Sequence, residues 1–372
     1  MTGLTILRRL QGLFIIWLSM LLLAAATPLA ARATPQGDNI TAPAAPRTMQ
    51  HDRKTERVDE PSCQSLSAHG GNNKDCLNTI SALYRGLDGP PDHIAARSLS
   101  ERACSATISE GCNFLGAMQQ DGTGGPKDVG AADGSFERAC LYGSGGGCFN
   151  RAQLIVGGQS PVNDLTVARD FYSRACDKNV VAACNNYGAM LLNGEGGNQD
   201  RIAARAMFDT ACAAGNIDAC TNYGDLLVTS PMRKGESDEG TKLLNEACNA
   251  GQARACFIVG TFSHYGRLGD QTGPRDYGAA RRAYEMACRS GHTEACFRIA
   301  QFLYDGKGGP QDLSEARSSY GALCRQDVGT ACFFYGNMQQ VGEGGALDIY
   351  GGKKAIAKGC DLGDPTACAA KQ

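Results

Sequence analysis

Eighteen cysteines in 372 residues are the side chains here with the most obvious capacity for chemistry. Sixteen of them form eight couples of one spacing, C-x7-C: Cys104/Cys112, Cys140/Cys148, Cys176/Cys184, Cys212/Cys220, Cys248/Cys256, Cys288/Cys296, Cys324/Cys332 and Cys360/Cys368. Thiols can serve as metal ligands, as nucleophiles or as halves of disulfides. Zinc sites favour C-x2-C units and His partners, but the chain has five His and no H-x3-H pair, so no metal is expected. An even count this high is unusual for a reduced cytosolic enzyme and points to disulfides in an oxidising compartment. Once bridged, none would remain as a thiolate nucleophile.

Eight residues of uninterrupted helix span about 12 Å, whereas a disulfide needs Cα atoms within about 7 Å. A bridged couple must therefore enclose a turn. Gly143, Gly215, Gly251, Gly291 and Gly363 stand three residues after the first cysteine of five couples, and Asn179 and Asp327 stand there in two more. Gly or Asn just past a helix end takes the left-handed conformation that terminates it. Each bridge then pins the end of one helix to the start of the next. The alternative pairs cysteines across one helical hairpin, for example Cys184 with Cys212. The shorter loop favours the C-x7-C pairing, and closing it contributes about 2.5 kcal/mol in the chain-entropy model. Cys63 and Cys76 are the remaining two, expected to pair in an atypical cap.

The couples begin 36 residues apart, with one step of 40 between Cys248 and Cys288. Such a period marks stacked helical repeats. Eight residues before each first cysteine stands a small residue, such as Ala168, Ala204 or Ala316. Four before it there is usually a bulky one, such as Phe136, Tyr172, Phe208, Tyr284 or Tyr320. That spacing describes one face of a helix, here called B. Four residues after each second cysteine a small residue recurs, as in Gly116, Ala152, Gly188, Gly260 and Gly336, within a second helix, A. Glycine costs about 1 kcal/mol inside a helix, so its recurrence predicts close approach between helices. Gly-rich turns such as Gly122–Pro126, Gly194–Gly197 and Gly306–Pro310 join A to B. They match no phosphate-binding motif and follow no strand pattern, so they read as structural. The four extra residues of the longer step fall in the loop Gly266–Pro274.

Arg8 and Arg9, the apolar run Leu13–Ala26 and the triplet Ala31-Arg32-Ala33 read as a secretory signal peptide over 1–33. The run is short for an uncleaved bilayer span, and no other stretch is apolar enough to cross a membrane. Residues 34–61, rich in Pro, Ala and Thr, read as a disordered linker. Residues 62–372 form the repeat domain. Net charge is −2 for the whole chain and −5 after removal of three leader arginines, which argues against a nucleic-acid partner.

The segment Asn185-Asn186-Tyr187-Gly188, followed by Gly194-Glu195-Gly196-Gly197, Asp200, Ala204, Phe208 and Ala211, resembles the Sel-one-like repeat, a relative of the tetratricopeptide repeat. With the C-x7-C couples, residues 63–372 are similar to the secreted bacterial cysteine-rich Hcp group. The resemblance implies an all-α fold, an α-solenoid or right-handed superhelix of about eight disulfide-linked αα-hairpins. Its concave groove would hold a protein or peptide, in the bacterial periplasm or outside the cell. It also implies a rival reading, since some members are credited with penicillin binding and weak β-lactamase activity. The chain carries no S-x-x-K, S-D-N, K-T-G, H-E-x-x-H or G-x-S-x-G motif, so no catalytic residue and no cofactor is assigned. A purely structural envelope component is a third reading. By analogy with tetratricopeptide repeats, the residues one, five and eight after each second cysteine would face the groove. Those singled out for partner binding are Asn185, Phe257, His264, Phe297, Gln301, Tyr304, Phe333 and Asn337. Phe257, Phe297 and Phe333 would form either an aromatic ladder in that groove or core packing between repeats.

Overall fold

The computed structural model describes residues 73–87, 89–268 and 271–371. The expected signal peptide, the linker and Cys63 lie outside the described residues. Within them the chain is an all-helical repeat array, an α-solenoid. In chain order the helices are α1 (Asn73–Arg85), α2 (His93–Ser105), α3 (Ser109–Asp121), α4 (Val129–Leu141), α5 (Gly145–Val156), α6 (Leu165–Asp177), α7 (Val181–Asn193) and α8 (Arg201–Ala213). They continue as α9 (Ile217–Thr229), α10 (Glu236–Asn249), α11 (Ala253–Tyr265), α12 (Tyr277–Arg289), α13 (Thr293–Asp305), α14 (Leu313–Arg325), α15 (Gly329–Val341), α16 (Ile349–Asp361) and α17 (Pro365–Ala370). Odd numbers up to α15 are A helices and even numbers are B helices. The insertion after α11 contains a minimal antiparallel pair, β1 (Arg267–Leu268) and β2 (Gln271–Thr272), with Arg267 opposite Thr272.

The contacts group into two compact units. One runs to Val180 and includes Ala189–Asp200; the other comprises Val181–Gly188 and Arg201 onward. In the first, Ile80, Leu99, Ala103, Ile108 and Phe114 form one core cluster, and Ala132, Phe136 and Leu154 another. In the second, Leu244, Ala280, Tyr284 and Phe302 belong to one cluster, and Phe297, Ala316, Tyr320 and Leu323 to another.

The small and bulky positions of the repeat fit into one another. A Cβ on Gly116 of α3 would lie 2.6 Å from the ring of Phe136 on α4, and one on Gly260 of α11 would lie 2.7 Å from Tyr284 on α12. Glycine inside the A helix is thus the seat for the aromatic residue of its B partner. The loss of helix propensity is offset by burying a ring that is no more than marginally exposed.

Bridges join Cys104–Cys112, Cys140–Cys148, Cys212–Cys220, Cys248–Cys256, Cys288–Cys296, Cys324–Cys332 and Cys360–Cys368, with Cα atoms 4.3 to 4.6 Å apart. Cys76, Cys176 and Cys184 are also disulfide-bonded, and no described cysteine is free. The turn inside each couple uses the left-handed conformation at its third residue, for example Gly143 at φ 104° and Asn179 at φ 61°. In the first couple the residue there is Thr107, at φ 61°, a conformation that β-branched side chains disfavour.

A second recurrent contact ties four of the repeats to the next. An arginine seven residues before the first cysteine reaches from its B helix into the Gly-rich turn of the following repeat. Arg97 donates to the carbonyls of Thr123 and Pro126 at 3.5 and 3.1 Å, and Arg169 to those of Glu195 and Asn198 at 3.5 and 3.0 Å. Arg281 donates to Pro310 at 3.3 Å, and Arg317 to Glu343 and Ala346 at 3.2 and 2.9 Å. The turn must pass close to the guanidinium: a Cβ on Gly125 would lie 2.8 Å from Arg97 Nη1, and one on Gly345 3.0 Å from Arg317 Nη1. Repeats whose turn has a different sequence use a different pair. Asp133 stands at the arginine position and accepts from Ser160 Oγ at 2.8 Å, while Arg205 forms an ion pair with Glu236 at 2.6 Å.

Candidate functional site

The A helices of the second unit carry all eight residues singled out for binding. Asn185 is buried, and its Oδ1 accepts from Asn222 Nδ2 at 2.8 Å. In the first unit Asn150 donates to Asn113 in the same way, also at 2.8 Å. In these two pairs the residue directly after the second cysteine faces the neighbouring A helix, and the residue two after the next second cysteine bonds to it. Arg254 extends the row in the second unit: it donates to Asn222 Oδ1 and pairs with Asp225 at 2.6 Å. Burial pushes the Asp225 carboxyl up, with Arg254 pulling the other way.

The three phenylalanines occupy different settings. Phe297 is buried, its ring 5.6 Å from Tyr320 and 5.7 Å from Phe334, so its main contacts are with the core of its own and the following repeat. Phe257 is half-buried, stacked on His292 at 4.3 Å and 5.8 Å from Tyr284. Phe333 is half-buried, 5.4 Å from Phe334. No ring contact joins one of the three to another among the described residues.

His264 sits near the C-terminus of α11 within an aromatic cluster. Its ring is 4.2 Å from Tyr265, 4.9 Å from Phe302 and 5.8 Å from Tyr277, and its Nδ1 lies 3.4 Å from the Tyr284 hydroxyl. Desolvation, reinforced by Lys307, Arg298 and Arg275, brings its pKa down to about 4, against the pull of Asp305. His264 is therefore neutral at physiological pH. His292 caps α13 by accepting from the Ala295 N–H at 3.2 Å, and burial likewise pushes its pKa down. Tyr304 donates to Glu343 at 2.9 Å; burial and that carboxylate raise its pKa to about 12. Gln301 accepts from Arg298 at 3.2 Å, and Asn337 is half-buried on α15.

This face can offer amide, guanidinium, carboxylate and aromatic contacts. Among the described residues no group of three or more His, Cys, Asp or Glu could hold a metal ion. Asn222 and Arg254 belong to the face, although the sequence reading did not single them out. Their signal was present: Asn150, Asn186 and Asn222 all stand two residues after a second cysteine.

The architecture so described is that of a disulfide-stapled helical-repeat scaffold. The Sel1 repeat family matches residues 81–107, 109–132, 147–180, 181–216, 253–292 and 293–318, just over half of the chain, and the protein belongs to that family. Among curated proteins none matches. Solved structures are similar at the level of the fold. The protective antigen c5321 of uropathogenic Escherichia coli, which displays an SLR fold, superposes with a TM-score of 0.65 at 19% identity, covering 80% of this chain. The chain spans only 63% of that relative's length. A Sel1 repeat protein from Oxalobacter formigenes gives a TM-score of 0.49 at 21% identity over 59% of this chain and 88% of its own. Helicobacter pylori cysteine-rich protein B gives 0.29 at 18% identity over 37% of this chain and 98% of its own.

Proposed function

We propose that the protein is an exported, non-catalytic scaffold that holds a protein or peptide partner against the A-helix face of its repeats. Sel1 repeat scaffolds typically mediate protein–protein interaction, and the oxidised cysteines suit an extracytoplasmic compartment, periplasmic or extracellular. The leading observation is the mixture on one helical face of the second unit. Half-exposed Phe257, His264, Tyr304 and Phe333 offer apolar contact, and Gln301, Asn337, Asn222 and Arg254 offer hydrogen bonds. Partner-binding surfaces combine such aromatic anchors with a polar surround. Asn185 and Phe297 support the face from beneath.

The test is crosslinking in the envelope fraction, followed by an affinity measurement with the purified partner. Tyr304→Ala/Phe333→Ala should weaken binding at least tenfold while leaving helix content and disulfides intact. Undiminished affinity in that variant would remove the face from consideration. The same preparation should show no nitrocefin turnover above background, and stoichiometric acylation by a penicillin would favour the hydrolase reading instead.

A further inference from the structure

The four A-to-B turns with the pattern Gly-x-Gly-Gly allow one chain to serve as its own control. The residues preceding them are Asp121, Asn193, Asp305 and Val341. The residues five after the first glycine are Lys127, Gln199, Gln311 and Leu347. All four turns share the same backbone, with first and third residues at φ values of 67° to 81°. In two of them a glutamine closes the turn onto the preceding helix. Gln199 Nε2 donates to the Leu192 carbonyl and Gln311 Nε2 to the Tyr304 carbonyl, each at 2.6 Å. Leu347 cannot make that bond. The last turn therefore forgoes a helix-end hydrogen bond and places apolar side chains where its sisters place polar ones.

Those side chains are presented to solvent. Val341 is 65% exposed, Leu347 61%, Ile349 53% and Tyr350 83%. The second residue of the following B helix is Gly130, Ile202 and Ser314 in the sister repeats, and only here an aromatic. Exposed Lys353 and Lys354 stand one helical turn beyond Ile349 and Tyr350. The nearby carboxylates are already engaged. Asp348 caps α16 by accepting from the Gly351 N–H at 2.7 Å, and Glu343 accepts from Tyr304.

We propose that this turn and the start of α16 form a docking tip for an anionic lipid surface. Four side chains on a projecting turn fall well short of the roughly 1,000 Å² that a specific protein interface needs. Partition into a bilayer interface requires only apolar area, an amphipathic aromatic ring and flanking cations. Lysine stems can lie along the apolar region with their ammonium groups among the phosphates. The tip touches the residues assigned to partner binding at one point, the Tyr304–Glu343 hydrogen bond, and its apolar side chains do not depend on that reading.

The test is vesicle flotation of the exported protein recovered from its host, using phosphatidylcholine vesicles with and without phosphatidylglycerol. Val341→Asp/Leu347→Gln/Tyr350→Ser installs residues already used by the sister turns, so folding is retained. It should lower the bound fraction at least tenfold. Lys353→Ser/Lys354→Ser should remove only the enhancement given by phosphatidylglycerol. As an independent reading, Tyr350→Trp places an indole at the tip of a chain whose one native tryptophan is Trp17, and its emission should shift to the blue on vesicle addition. Equal flotation of wild type and triple variant, or none by either, would overturn the proposal. So would concentration-dependent self-association that the triple variant abolishes, because the tip would then serve a second copy of the chain.

Discussion

Gln339 offers a sharp test of how the A and B helices are matched. It is 7% exposed on α15, and its Oε1 is buried without a hydrogen-bond partner. The same register, seven residues after the second cysteine, holds buried Leu191, Leu227 and Leu303 in sister repeats. In α3 it holds Gln119, whose Oε1 accepts from Ser135 Oγ at 2.7 Å. Ser135 lies five residues before the first cysteine of its couple, and the matching residue in α16 is Ala355. An orphaned buried acceptor costs about 1–3 kcal/mol, and a satisfied neutral bond returns about 0.5–1.5 kcal/mol. Ala355→Ser should therefore stabilise the last hairpin by about 1 kcal/mol, and Gln339→Leu by about 1–2 kcal/mol. The two gains should not add, because a serine at 355 facing a leucine has lost its acceptor. Repeat arrays open locally, so the measurement is amide hydrogen exchange of α15 and α16, supported by thermal melts. Faster exchange in Ala355→Ser, or additive gains in the double variant, would refute the register argument.

Arg317→Ala should cost about 1–2 kcal/mol, with the loss confined to faster exchange in residues 342–348, since only the next repeat's turn loses donors. Thr107→Gly should raise the melting temperature by relieving a left-handed β-branched residue, a gain of about 1 kcal/mol checked by calorimetry. His264 has a folded pKa of about 4 against an ordinary 6.5, so the unfolded chain binds more protons between those values. Its contribution to stability is full above pH 6.5 and declines toward pH 4; His264→Phe should flatten that part of the profile. Burial raises the Glu236 carboxyl, but hydrogen bonds from Arg233, the Met232 N–H and Arg205 outweigh it and hold the pKa at about 2. Its stabilisation is present above about pH 4.5 and lost toward pH 2, and Glu236→Gln should remove that acid-side slope in denaturant titrations.

The fold was legible because two signals with different physical origins share one period. A C-x7-C couple can close only around a turn, and glycine can recur in a helix only where something presses against it. Phe136 against Gly116 and Tyr284 against Gly260 are the contacts behind the second signal. The candidate binding face was less legible. A register borrowed from a related repeat places Asn185 and Phe297 outward with Phe257 and Phe333, yet at this position Asn185 and Phe297 are buried while Phe257 and Phe333 are half-buried. The arginine link between repeats left a trace in Arg97, Arg169, Arg281 and Arg317. Its meaning was hidden because the acceptors are backbone carbonyls about 26 to 29 residues later, to which side-chain patterns are blind.

The bridges have a consequence for biogenesis. In every bridge whose two partners are identified above, a sulfur is joined to the very next cysteine in the polypeptide. A chain threaded through a translocon with its N-terminus leading would present these thiols two at a time. An oxidant acting on each new arrival with its predecessor would make the right bonds in order, without the shuffling that crossed connectivities demand.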